Sequence, residues 1–222
     1  MKVLVLCAHP DDETLGCGGT ILKHVAAGDE VTWVVVTQAH EPHWNAETID
    51  RKGAEVERVA AEYELARHVR LGFASSRLDM TPRADLIGAV HGVVEEVRPA
   101  TVYVVHPGDV HADHRDVFEA TMSVLKAFRM RSLGVRRILA YETLSSTEAA
   151  APVGRETFAP TVFSDIGDFL ERKLAIMSLY ESEAQHDPLP RAASAIRALA
   201  RFRGASIGVE YAEAFQLVRE LV

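Results

Sequence analysis

Val3-Leu4-Val5-Leu6-Cys7-Ala8, followed at once by His9-Pro10-Asp11-Asp12-Glu13, is the stretch that decides the fold. An apolar run with no polar residue in alternation suits a strand covered on both faces, the pattern of a parallel sheet held between helical layers. In such sheets the chemistry gathers at the carboxyl ends of the strands, where His9 to Glu13 fall. Thr14 to Ala27 then reads as a helix, because Leu15, Ile21, Leu22 and Val25 recur at helical steps. Gly28-Asp29 supplies its stop and turn.

The same alternation continues outward. Val31–Thr37 is β-branched throughout except for Trp33 and reads as a second strand. A polar loop, Gln38 to Ile49, carries His40, His43 and Trp44; Asp50 to Arg67 follows as a helix with Val56, Val59, Ala60 and Tyr63 on one face. Val69–Gly72 is a short strand. Arg83–Glu96 is a helix stopped at Arg98-Pro99, since the residue before proline avoids helical geometry. Thr101–Val105 is a strand, Arg115–Phe128 a helix, Arg137–Glu142 a strand and Ser145–Pro160 a loop. Thr161–Ser164 forms a further strand, and Asp165–Tyr180 and Ala192–Arg203 are helices. Strands alternating with helices predict an α/β fold: a doubly wound, mainly parallel, Rossmann-like sheet flanked by helices. A single domain spanning 1–222 accommodates it.

Composition narrows the function. With 24 basic and 32 acidic residues the formal charge is -8, which argues against a nucleic-acid surface. The opening apolar run is too short for a secretory core, and no run approaches the ~20 residues that span a bilayer. The only cysteines, Cys7 and Cys17, build no disulfide framework. These features point to a cytoplasmic enzyme with no membrane span.

A second chemical run, His111-Ala112-Asp113-His114, follows the strand Thr101–Val105. Asp12 lies three positions after His9, across the bend from strand to helix, so both side chains can enter one crevice. His114 completes a set of two imidazoles and a carboxylate if its strand lies near the first. Such a set holds a divalent metal with a coordination position open, as catalytic zinc requires. It equally suits a non-haem Fe(II) enzyme, so Fe2+ or another divalent ion stays open beside Zn2+.

Taken together, these motifs resemble the PIG-L/LmbE-type metal-dependent N-deacetylases. Besides the two metal motifs, Gly16-Cys17-Gly18-Gly19, Arg203-Gly204 and Tyr211-Ala212-Glu213-Ala214-Phe215 are similar to that family's segments. The resemblance implies His9, Asp12 and His114 as metal ligands, Asp11 as general base, and a protonated His111 as the imidazole that polarises or protonates the reacting carbonyl group. It implies Asp113 as a further catalytic-site residue, the carboxylate that orients a histidine, and Arg51 as a pocket arginine that binds substrate. The implied reaction removes an N-acetyl group from an N-acetylglucosamine-type conjugate or nucleotide sugar; a mycothiol-conjugate-type amidase is the alternative with the same ligands. A homo-oligomer is compatible with the resemblance. The sequence departs from the family in two places. Ser75 stands where many members have aspartate, and Tyr180 is followed by Glu181-Ser182-Glu183 rather than a Ser-Gln pair.

Other residues invite simpler explanations. Gly16, Gly18 and Gly19 suit close packing of a helix on the sheet better than a dinucleotide site, whose spacing they lack. Cys7 belongs to the core, and Pro107-Gly108 is a turn. His40 and His43 could touch substrate, and Arg191, Arg197, Arg201 and Arg203 form either a solvated helix face or a contact for a phosphate on the substrate. A doubly wound regulatory module without catalysis is a further reading, but it leaves the clustered His and Asp residues unexplained.

Overall fold

The computed structural model describes residues 1–151 and 157–222. Of the loop read over Ser145–Pro160, residues 152–156 lie outside the described residues. In chain order the elements are β1 (Lys2–Cys7), α1 (Asp12–Ala26), β2 (Glu30–Gln38), α2 (Ala46–Glu62), β3 (Arg67–Ala74), α3 (Arg83–Val97) and β4 (Thr101–Val105). They continue with α4 (Ala112–Val124), α5 (Ala127–Met130), β5 (Arg137–Tyr141), β6 (Val162–Asp165), α6 (Leu170–Met177), α7 (Ala193–Ala205) and β7 (Ala212–Glu220).

The strands form one sheet of seven in the order β3-β2-β1-β4-β5-β7-β6. The five strands β3, β2, β1, β4 and β5 are parallel; β7 runs antiparallel to both β5 and β6. The mainly parallel α/β sheet is therefore present, with an antiparallel end. From β1 the chain winds outward to β2 and β3, then returns to pair β4 on the other side of β1. The carboxyl ends of β1 and β4 consequently flank the point where the winding reverses, the crevice in which doubly wound sheets bind ligands. The residues after β1 and after β4 meet there for this topological reason.

β1 is the centre of the core. Val3, Leu4, Val5, Leu6 and Cys7 are all completely buried, as the unalternated apolar run requires. Cys7 Sγ accepts the Trp33 indole N–H at 3.1 Å and is a core residue. Behind the crevice, α1 lies tight on the sheet. A Cβ on Gly16 would stand 2.1 Å from Tyr141 Cδ2 and 2.8 Å from the Glu142 carbonyl. The glycines of α1 thus permit close helix–sheet contact, the simpler of their two explanations.

Several boundaries differ from the sequence pattern. Helix α2 starts at Ala46 rather than Asp50, because Asn45 caps it by accepting the Thr48 amide at 2.8 Å. Helix α4 starts at Ala112, so Asp113 and His114 sit in its first turn rather than in a loop before it. The predicted helix from Asp165 to Tyr180 forms only over Leu170–Met177. Strand β7 was not anticipated. Among the described residues, no helix is long and apolar enough to cross a membrane.

Candidate active site

Asp11 occupies the tight corner between β1 and α1. Its φ of 107° is left-handed, which a residue with a Cβ adopts only when its surroundings impose it. They do so from three directions. The Asp11 carbonyl accepts the first helical bond from Leu15 N at 2.9 Å. Its amide donates to Glu13 Oε2 at 3.2 Å, and its carboxylate Oδ2 receives Arg191 Nη1 at 2.8 Å. Glu13 is itself wholly buried, accepting Tyr180 Oη at 2.7 Å and Thr14 Oγ1 at 2.5 Å.

The three histidines of the two motifs converge. Ring centroids lie 4.3 Å apart for His9 and His111, and 5.3 Å apart for His9–His114 and His111–His114. One ligand atom from each can lie within 4.8 Å of the others. Proximity alone would make this a three-imidazole metal site, but the hydrogen bonds distinguish the rings. His9 Nε2 is 3.0 Å from Asp113 Oδ2; that carboxylate also accepts the Ser76 amide at 2.7 Å. A carboxylate can only accept, so His9 carries its proton on Nε2 and keeps a lone pair on Nδ1. His114 Nδ1 is 2.6 Å from Asp109 Oδ2, so in its neutral form the ring keeps the Nδ1 proton and frees the lone pair on Nε2. His111 is the reverse case. Its Nδ1 accepts the Asp113 amide at 3.2 Å, so the neutral ring carries its proton on Nε2 as a donor.

Asp12 stands between His114 Nε2 and His9 Nδ1, the two ring nitrogens not engaged by Asp109 or Asp113. Its Oδ1 is 3.3 Å from His114 Nε2 and its Oδ2 is 3.7 Å from His9 Nδ1. Imidazole nitrogen and carboxylate oxygen are the donors that first-row divalent ions take, and carboxylates behind ligating imidazoles are the usual support. The local field agrees. Burial pulls the His114 pKa down, but Asp12 and Asp109 outweigh it and raise it to about 10, so without a cation the ring holds a proton on Nε2 that a bound metal would replace. Burial pushes the Asp12 carboxyl up, yet His114 and His9 hold it well below the usual range. This pocket of negative potential favours positive charge at the point between these side chains, and the donor set therefore fits a divalent cation.

Burial, followed by the charge of Asp12, pushes the Asp11 carboxyl well above its ordinary pKa, while Arg191 opposes the shift. Burial, together with His9 and His114, lowers His111 to about 4, so at neutral pH it is a neutral imidazole and not the protonated one expected. Burial raises Asp113, but the His9 ring and the Ser76 amide more than reverse it.

A cavity of about 200 Å³ opens onto this cluster, several times the ~30 Å³ share of a water molecule. His9, Asp11, Asp12, His111 and His114 line it, with Trp44 and Ser75 farther along the wall. Asp113 lies behind His9 rather than in the lining. Arg51 is exposed on α2 and is not part of the cavity wall, whereas its neighbour Lys52 is. One residue along a helix is a rotation of about 100°, enough to exchange cavity for solvent. His40 and His43 meet Trp44 at steep ring angles, at centroid distances of 5.7 and 6.0 Å, and neither ring lines the cavity. Among the C-terminal arginines, Arg191 reaches the site; Arg197 pairs with Glu171 and Arg203 with Glu142. Arg201 lies 3.7 Å from Glu210.

Two participants were missed in the sequence. Asp109, which fixes the His114 tautomer, sits in a loop that Pro107-Gly108 made look like a plain turn. Arg191 gave only a diffuse signal of basic charge.

Residues 4–125, more than half of the sequence, match the PIG-L family, described as GlcNAc-PI de-N-acetylase. The chain belongs to the PIG-L family. It is 26% identical to the diacetylchitobiose deacetylase of Thermococcus kodakarensis over 98% of this chain and 83% of that protein. The N,N'-diacetylchitobiose deacetylase of Pyrococcus horikoshii, solved with its inhibitor MPG, superposes with a TM-score of 0.77 at 24% identity, covering 98% of this chain and 84% of that one. The 4-carboxy-2-hydroxymuconate hydratase of Pseudomonas putida superposes with a TM-score of 0.78 at 18% identity, covering 100% and 97%. The PIG-L fold thus serves more than one reaction, and assignment rests on the site.

Proposed function

We propose that this PIG-L protein is a metal-dependent hydrolase that removes an N-acetyl group from an amino-sugar-containing small molecule. The observation that carries this reading is the tautomer pattern. His9 Nδ1 and His114 Nε2, the nitrogens left for a metal by Asp113 and Asp109, flank Asp12, while His111 presents an N–H donor to the same cavity. His9, Asp12 and His114 would hold the ion, with Zn2+ the best match to a nitrogen-rich, three-ligand set. A bound divalent ion supplies Lewis acidity toward a carbonyl and toward water.

The rest falls to the chain's own groups. Asp11 takes the proton of the attacking water, its free carboxylate oxygen aimed by the Arg191 contact on the other. The His111 Nε2–H donates a hydrogen bond to the oxygen that gains charge as the amide carbon becomes tetrahedral. That proton balance leaves Asp11 protonated, and the proton passes to the departing amine as the C–N bond breaks. Asp113 does not touch substrate in this scheme; it holds the His9 ring. The sequence relatives named deacetylases support this choice over hydration and over oxygen chemistry at the same ligands.

The test is acetate release from a panel of N-acetylglucosamine derivatives, including nucleotide-linked ones, alongside a mycothiol-type conjugate. Release of acetate under anaerobic conditions is the expected result. Cleavage confined to the larger acyl conjugate would favour the amidase alternative, and dependence on oxygen would rule out hydrolysis.

A further inference from the structure

Three of the residues lining the cavity carry fixed positive charge: Lys52, Arg70 and Arg191. Two of them have a carboxylate in hand. Lys52 Nζ contacts Glu183 and the Ser182 hydroxyl, and Arg191 bridges Asp11 and Glu183 while its Nε donates to Ser145 Oγ at 2.8 Å. Arg70 differs. Among the described residues no carboxylate lies within ion-pair distance of it, whereas Arg67, three residues earlier on β3, forms a two-point contact with Glu96 at 2.5 and 3.0 Å. An exposed arginine on an edge strand is ordinarily free to wander in solvent. This one is packed on the helix that walls the cavity: its Nη1 and Nη2 lie 3.4 and 3.7 Å from where a Cβ of Gly53 would stand. Beyond Arg70 the strand leads through Ala74 into Ser75 and Ser76, which line the same cavity and bring hydroxyls but no negative charge.

We infer that Arg70 binds an anionic group, a carboxylate or a phosphate, carried by the substrate. The inference rests on the deacetylase reading and narrows its substrate class. A guanidinium pairs such groups through two parallel N–H···O bonds, and the absence of a protein carboxylate leaves that capacity for a ligand. An amino sugar bearing an acid substituent is the chemistry this rim fits; a neutral sugar leaves the guanidinium without a partner.

Binding and turnover are measured together. Calorimetry compares glucosamine, glucosamine 6-phosphate and muramic acid, the last two separating phosphate from carboxylate, on the metal-loaded wild type and on Arg70→Gln. Acetate release compares the matching N-acetyl compounds. Wild type is expected to favour at least one anionic ligand by roughly 10-fold or more, with that preference collapsing toward unity in Arg70→Gln. Equal affinity for neutral and anionic ligands, or a preference that survives in Arg70→Gln, overturns the inference. Anion-selective binding that depends on Arg70 without acetate release from any compound would sustain it while sinking the deacetylase reading.

Discussion

Replacing Asp109 with asparagine probes the site without touching any residue that meets substrate. Asp109 is 2% exposed, and its Oδ2 lies 2.6 Å from His114 Nδ1, a charge-assisted bond at short range. Its task is to hold the proton on Nδ1, so that Nε2 faces Asp12 with a lone pair. Asparagine has the same shape and can still accept at one atom, but it brings no charge, and its amide N–H₂ can face the ring instead. Changes of this kind behind a metal-binding imidazole typically weaken metal affinity about 10–100-fold. That corresponds to roughly 1.4–2.7 kcal/mol. The assay is competition against a chromophoric chelator, run beside thermal melts of the metal-free protein to separate lost affinity from lost folding. Aspartate-level affinity in a folded Asp109→Asn protein would refute the tautomer argument and, with it, the ligand role of His114 Nε2.

Further outcomes follow from the same geometry. Removing the guanidinium in Arg191→Ala takes away the charge that lowers Asp11, so the acid limb of the pH–rate profile should move to higher pH while kcat falls; an unmoved limb counts against Asp11 as the base. Burial raises Glu13 to about 7 from its ordinary 4.5. Because its folded pKa lies above the unfolded one, the fold binds the extra proton, and stability declines as pH rises from about 4.5 to 7 and then levels off. Glu13→Gln should remove that decline, worth up to roughly 3 kcal/mol, in urea titrations of metal-free protein at pH 5 and 8. Gly16→Ala forces a Cβ to 2.1 Å from Tyr141 Cδ2, and overpacking of this kind costs about 1–3 kcal/mol or more; an unchanged melting temperature would show that α1 shifts freely.

The sheet was legible because β1 has no polar residue after Lys2 and β4 has no charged one, the pattern of buried parallel strands. Strand β7 was not. Its outer half, from Gln216 to Glu220, mixes Leu217 and Val218 with polar residues and is only partly covered at the antiparallel end, so it lacks the run that marks β1. The site showed the same division. His9, Asp11, Asp12, His111, Asp113 and His114 were readable as two compact motifs, and the strand order brings them together. Arg51 was not distinguishable from Lys52 by spacing, because the four-residue shift in the start of α2 concealed which residue turns inward. Asp109 and Arg191 depend on loop conformations, and nothing in local sequence fixes where a loop carboxylate or a distant arginine will lie. His111 was read correctly as part of the cluster, but its charge state depends on burial and on two neighbouring rings.

The central claim is that His9, Asp12 and His114 hold one ion on which hydrolysis depends, with Asp11 as the base beside it. Metal content by elemental analysis, measured with acetate release on the wild type, Asp11→Asn and His114→Ala, tests this most directly. One divalent ion per chain is predicted for the wild type and for Asp11→Asn, with turnover lower by about 10²–10⁴-fold in the latter, and neither ion nor turnover in His114→Ala. Acetate release that persists at the wild-type rate after the ion is stripped, or a full complement of metal in His114→Ala, would contradict it.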